Sequence, residues 1–237
     1  MRTQIPESRP AAGRLHTVRR AVRLARAVLL LAGLAKAGVS LYRNVLREPI
    51  LNWGATADEI ARVLPGDELL GDPDIIATRA ITIDAPAAAI WPWLLQMGPG
   101  RGGAYTYDFI ENLFGLDMHS ADRIIPEYQH LAVGDVVRNP QGGGMRVEII
   151  EPERVLATRS EAGDWVWIFA LFEEDGHTRF LSRNRIAMTG DSAGQRLGML
   201  LMEPGSLVME RKMLLGIKER AERLAGEQRR ESAPSAA

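Results

Sequence analysis

Arg101, Tyr105, Tyr107, Asp108, Glu111 and Asn112 form the densest cluster of polar and aromatic side chains in this 237-residue chain. Asp108, Glu111 and Asn112 stand at one-turn spacings, which place them on one helix face. Carboxyl and phenol groups gathered this way can orient the polar end of a ligand or, in an enzyme, move protons. The competing reading is a network that staples two short helices to their neighbours. Asp117, His119 and Asp122 offer donor atoms to a metal. His16, His130 and His177 are scattered, however, and none stands at ligand spacing, so neither a metal nor a cofactor is expected. Gly98 to Gly103 spells G-x-G-x-x-G, but a dinucleotide fingerprint needs a strand before it and a helix after it. Here a helical pattern precedes it, and the segment reads as a hinge or lip. The chain has no cysteine and no G-x-S-x-G elbow, which excludes thiolate nucleophiles and gives no sign of a serine triad. No catalytic set emerges, and the reading leans away from an enzyme.

Two strands add further candidates. Trp165, Trp167, Phe169 and Leu171 alternate with Val166, Ile168, Ala170 and Phe172, so both faces of that strand are apolar and both need cover. Trp165 or Trp167 would wall a pocket, as would Trp93 upstream, since an indole offers a large apolar face and one donor. Plain core packing competes for each. Arg179, Arg183 and Arg185 share one face of a later strand, opposite Ser182 and Asn184. The favoured reading is a solvated face; an inward arginine would demand an acidic partner or an anionic ligand head.

The elements that must position these residues are legible in order. Thr56-Ala57-Asp58-Glu59 is a capping box that opens a short helix stopped by Pro65-Gly66. Ile76 to Ile83 reads as a strand. Asp84-Ala85-Pro86 opens a helix through Met97, kinked at Pro92, and a second helix lies near Tyr107 to Phe114. The period then becomes extended: Val136-Val137, Met145 to Ile150, Val155 to Arg159, Trp165 to Phe172 and Arg179 to Met188, separated by turns such as Asp175-Gly176. Such close spacing implies an antiparallel meander. A long amphipathic helix, about Pro204 to Leu224, closes the domain. One sheet gripping one long helix is an α+β arrangement, and a curved sheet around a helix leaves room for a cavity.

The ends differ from the middle. Lys plus Arg total 29 and Asp plus Glu 30, a balance that gives no reason to expect nucleic acid. Before residue 50, however, ten basic residues face only Glu7 and Glu48. An apolar run, Ala27 to Tyr42, is broken once by Lys36. Residues 14–48 thus read as a basic, apolar helix. It is a cleaved signal segment, an interfacial helix with Lys36, Arg43 and Arg47 on a basic face, or a short spanning anchor. A soluble helix packed on the domain is the remaining alternative. If the helix spans, the arginines before it predict a cytoplasmic N-terminus and an extracytoplasmic domain; otherwise the protein is membrane-associated on the cytoplasmic side. Residues 1–13 and 227–237 read as disordered.

Several motifs carry a resemblance. Trp91-Pro92-Trp93-Leu94-Leu95-Gln96-Met97-Gly98, Gly102-Gly103, Tyr105-Thr106-Tyr107-Asp108, Glu111-Asn112, Ala121-Asp122-Arg123-Ile124 and Pro126-Glu127 resemble the START-related lipid-transfer (SRPBCC) superfamily. Within it, the likeness is to bacterial polyketide cyclase/dehydrase-like members. Glu203-Pro204-Gly205, Met209-Glu210-Arg211-Lys212, Trp53-Gly54-Ala55-Thr56 and Leu64-Pro65-Gly66-Asp67 fit the same group. The resemblance covers about residues 50–225. It implies a helix-grip domain over 50–226 with a cavity between sheet and terminal helix, and it supplies no fixed catalytic set. The expected partner is a small apolar molecule, lipid-like or polyketide-like, held in that cavity. The expected ligand-binding residues are Trp93, Arg101, Tyr105, Tyr107, Asp108, Glu111, Trp165 and Trp167. The alternative is a cyclase/aromatase- or hydrolase-type enzyme using the same cavity, with Asp108, Glu111 or a tyrosine moving protons. A third is a membrane-tethered interaction module whose cavity is filled by its own side chains.

Overall fold

The computed structural model describes residues 11–188, 190 and 192–232. It comprises two compact units that divide between Glu48 and Pro49. In the first, helix α1 (Ala11–Leu41) continues into a π turn, Tyr42–Leu46. A π turn takes in one extra residue, about 100° of rotation, so the residues beyond it leave the stripe an unbroken α-helix would give them. Leu29, Leu30, Leu31 and Leu34 are all exposed. The span Arg23–Leu51, 29 residues, is long and apolar enough to cross a membrane. Residues 11–13 belong to α1, while residues 1–10 lie outside the described residues.

The second unit begins within α2 (Arg47–Leu51), whose Leu51 packs on Ile75 and Ala77. Helix α3 (Ala57–Ala61) opens with the capping box as expected: Thr56 Oγ1 accepts from Glu59 N, and Glu59 Oε2 accepts from Thr56 N. Strand β1 (Ile75–Ile83) follows, then α4 (Ala87–Leu95) with Pro92 inside it and α5 (Asp108–Leu113). The meander is β2 (Val136–Arg138), β3 (Gly144–Glu151), β4 (Val155–Ser160), β5 (Trp165–Glu174) and β6 (His177–Ile186). Asp175 and Gly176 both take positive φ, 48° and 80°, the two-residue hairpin turn that Asp-Gly favours. The six strands form one antiparallel sheet in the order β1-β6-β5-β4-β3-β2, with a register irregularity between Val147 and Ile149.

Helix α6 runs from Ala193 to Ser232, 40 residues, well beyond the expected Pro204–Leu224. Proline in a helix interior removes one hydrogen bond but does not prevent continuation when the flanking turns are held. The true start is a Ser192–Gln195 capping box: Ser192 Oγ accepts from Gln195 N, and Gln195 Oε1 accepts from Ser192 N. Residues 227–232, expected as tail, are the helix's last turns, with Arg229 and Arg230 where the dipole favours cations. Residues 233–237 lie outside the described residues.

Both faces of the sheet are covered. On the inner face α6 packs against β1 and α4 against β5, with Phe180 of β6 in the same core. This antiparallel sheet holding a long C-terminal helix is the helix-grip fold. On the outer face Leu64, Leu69 and Leu70 cover Val155, Ala157, Val166, Ile168 and Leu181. The expected hollow is corrected in the middle of the grip. Trp93, Phe169, Phe180, Met213, Leu214 and Ile217 fill it, none more than 2% exposed.

Candidate functional site

The register fixes which side chains face inward. Phe169 lies opposite Ser182, Trp167 opposite Asn184, and Trp165 opposite Ile186. Alternation therefore puts Trp165, Trp167, Phe169 and Leu171 on the inner face with Phe180, Ser182 and Asn184. The aromatic rings form a continuous stripe. Trp165 stacks on Trp167 at 5.5 Å, Trp167 meets Phe169 at 4.8 Å, and Phe169 meets Phe180 at 5.9 Å. Phe169 and Phe180 are sealed in the core, whereas Trp165 and Trp167 are only half-buried. The stripe thus runs from a closed interior to an accessible end.

The indole edges are fixed by a buried polar belt that sequence reasoning missed. Trp165 Nε1 donates to Asn184 Oδ1 at 2.8 Å, and Trp167 Nε1 donates to Ser182 Oγ at 2.9 Å. Asn184 Nδ2 donates to Glu210 Oε2 at 3.1 Å. Glu210 is also paired with Arg79, which donates further to Ser206 Oγ and to the Ile50 carbonyl. Burial pushes the Glu210 carboxyl above the usual carboxylate range, and the Arg79 charge opposes that shift. A signal for this belt was present: Arg79 is a lone charge on the inward phase of an apolar strand, and Glu210 stands on the apolar side of a helix.

The other expected site residues are placed elsewhere. Trp93 is core, edge-on to Tyr105 at 5.9 Å, and Tyr105 OH donates to the Trp93 carbonyl. Burial raises the Tyr105 phenol far above its ordinary range, which removes it from proton transfer near neutrality. Arg101 donates to the carbonyls of Leu95 and Tyr128 and lies over the Tyr128 ring. Both carboxylate oxygens of Asp108 accept from Ser120, at its N–H and its hydroxyl. Asn112 accepts from Met118 N and donates to Met118 O. Glu111 is half-buried, its Oε2 without a partner; burial raises its carboxyl, and the neighbouring Asp108 charge adds to that. Tyr107 lies on the surface beneath Lys212. The structure therefore joins Trp165 to Trp167 and Trp93 to Tyr105, and it ties Arg101, Asp108 and Asn112 of the 101–112 cluster to neighbouring segments.

The arginine face is also corrected. Arg179, Arg183 and Arg185 point to the outer face, yet Arg183 and Arg185 are buried under the 59–70 segment rather than solvated. Arg183 donates to Thr78 Oγ1, Asp67 Oδ2 and the carbonyls of Glu59, Ile60 and Arg62. Arg185 donates to Leu70 O and Asp67 Oδ1, and Arg179 is bidentate to Glu59. A charged strand face became interior because a distant segment supplied carbonyls and two carboxylates. The glycine-rich loop is likewise explained by packing. Gly98 and Gly103 bridge to each other, and a side chain at Gly98 would strike Val137. Among the described residues no group of three or more His, Cys, Asp or Glu side chains is arranged to hold a metal.

No family model and no curated protein matches the chain. Solved structures do. A protein of Mesorhizobium loti is 17% identical over 63% of this chain and 98% of its own, at a TM-score of 0.37. A Corynebacterium glutamicum protein described as Polyketide_cyc-like is 17% identical over 68% of this chain and 95% of its own, at 0.29. One from Thermus thermophilus is 15% identical over 62% and 97%, at 0.33. At such distances the helix-grip assignment rests on this chain's own strand order and helix packing.

Proposed function

We propose that the domain binds a small, largely apolar molecule against Trp165 and Trp167 at the open end of the grip, and that α1 tethers it to a membrane. The observation that carries the reading is the pair of half-buried, inward-facing indoles whose edges are locked by Asn184 and Ser182. Locked rings present a rigid apolar face at low entropic cost, and apolar contact supplies about 25 cal/mol per Å² buried. The filled centre limits the guest to the accessible end, so a compact molecule fits better than a long chain threaded through the interior. The tether reading is supported by the exposed leucines of α1 and the 29-residue apolar span.

The test is displacement of the compact apolar dye anilinonaphthalene sulfonate by unlabelled apolar molecules, together with native mass spectrometry of the protein as purified. Tryptophan-to-dye energy transfer is expected in the parent protein and is reduced at least severalfold in Trp167→Ala, while Trp53→Phe leaves it nearly intact. An empty protein in the mass spectrum with no energy transfer would end the reading.

A further inference from the structure

Helix α5 is built inside out. Its polar residues are held by the protein: Asp108 accepts from Ser120, Glu111 is half-buried, and Asn112, itself exposed, is paired with Met118. Its apolar residues turn to solvent. Phe109 is 73% exposed and Leu113, one turn later, 84%; Phe114 at the helix end is 64% exposed. Tyr107 lies edge-on to Phe109 at 6.1 Å. Four large apolar side chains within eight residues form the kind of patch that marks a contact surface, not the scattered exposure of an ordinary exterior. The helix cannot roll to hide them, because the Asp108 and Asn112 bonds, and the bond from Gln141 Nε2 to Phe114 O, fix its rotation. The face needs an apolar cover from outside.

We infer that this face of α5 is a membrane-contact site, seated at the headgroup level of a lipid bilayer; the inference rests on the tether reading given above. The same chain carries the apolar Arg23–Leu51 span, which ends where the domain begins. A tether without a linker keeps lipid at high effective concentration relative to any soluble partner. The chemistry suits an interface: phenyl and leucyl groups to enter the acyl boundary, a tyrosine for the headgroup zone, and the Lys212 ammonium 5.9 Å over the Tyr107 ring for lipid phosphate. A second copy of the chain is a poorer cover, since a stable interface buries about 800 Å² on each partner, far more than four side chains supply.

The chain has no cysteine, so single cysteines report cleanly. Full-length protein carrying Leu113→Cys, Phe109→Cys, Leu30→Cys or, as an exposed control on the β3–β4 turn, Arg154→Cys is labelled with the fluorophore NBD. It is reconstituted in vesicles of phosphatidylcholine with a minority of phosphatidylglycerol, with and without spin-labelled lipid. Labels at 109 and 113 are expected to shift to the blue and lose intensity with spin-labelled lipid, while the label at 154 does neither. If the label at 30 is quenched and those at 109 and 113 match 154, the α5 site is overturned and the tether stands. If no label is quenched, both fall. Quenching at 109 and 113 alone supports the α5 site and removes the tether. A label at 113 shielded from aqueous iodide but untouched by spin-labelled lipid means that protein covers the face, and overturns the inference.

Discussion

Arg79 on β1 and Glu210 on α6, 131 residues apart, form an ion pair in the domain interior, with 1% and 7% of their side chains exposed. The pair ties the first strand to the last helix and, through Asn184, sets the edge of Trp165. Removing one partner of a buried pair strands the other charge, at a cost of about 3–5 kcal/mol. Arg79→Met and Glu210→Leu should each lower the unfolding free energy measured in urea by that order, and Arg79→Met/Glu210→Leu together should recover most of it. Single and double losses that simply add would show that the two side chains do not interact.

Glu59 gives the pH dependence a sign. Its bond from Arg179 holds the Glu59 carboxyl below the ordinary value of 4.5, against the opposing effect of burial. A carboxyl depressed in the folded state contributes stability above its unfolded value, and that contribution is lost as pH falls through the folded one. At neutral pH Glu59→Gln should destabilise the domain by about 2 kcal/mol, the size of a charge-assisted hydrogen bond. Well below pH 4.5 the gap between the parent and Glu59→Gln should close. Urea unfolding at the two pH values measures it, and a gap that stays constant would exclude Arg179 as the cause.

Asp108 separates binder from enzyme. Both its oxygens are occupied by Ser120, so Asp108→Asn loses one acceptor and should cost about 1–2 kcal/mol of stability. Affinity for an apolar guest should stay within a few-fold. A cyclase-type enzyme that used Asp108 as its proton carrier would instead lose turnover while keeping its fold. Thermal melts run beside ligand titrations distinguish the two.

Periodicity and turn chemistry made the succession of strands along the chain, the capping box at Thr56 and the Asp175-Gly176 hairpin legible, but not the pairing of β1 with β6. These are local signals, and the structure keeps them within two residues. The start of α6 was also written locally, in Ser192 and Gln195, but Pro204 is the stronger boundary signal and masked it. What local reading cannot reach is which strand face a distant segment will cover. The three arginines of β6 look solvated until residues 59–70 fold over them. The 101–112 cluster looks like a ligand site because its polar groups crowd in sequence, whereas their partners, Ser120 and Met118, lie on a loop with no periodic signature. Trp165 and Trp167 were found from strand alternation. Arg79 and Glu210 were overlooked as a pair because nothing in sequence joins them across the intervening chain.

The glycine-rich loop offers a test of packing against backbone conformation alone. Gly100 and Gly103 both have positive φ, 63° and 70°, so alanine is strained at either. Their surroundings differ. A Cβ at Gly100 meets nothing within 4 Å, while one at Gly103 would lie 2.7 Å from the Ser120 backbone. Gly100→Ala should therefore cost only the conformational term, about 1 kcal/mol. Gly103→Ala must also push apart the loop that carries Ser120, on which Asp108 and Tyr105 N both depend, and should cost roughly 3 kcal/mol or more, in the range of overpacked interiors. Because the Ser120 contacts hold α5, Gly103→Ala should also speed amide exchange across α5, whereas Gly100→Ala should leave it unchanged. Equal losses from the two substitutions would show that the loop is selected for conformation, not for its close approach to Ser120.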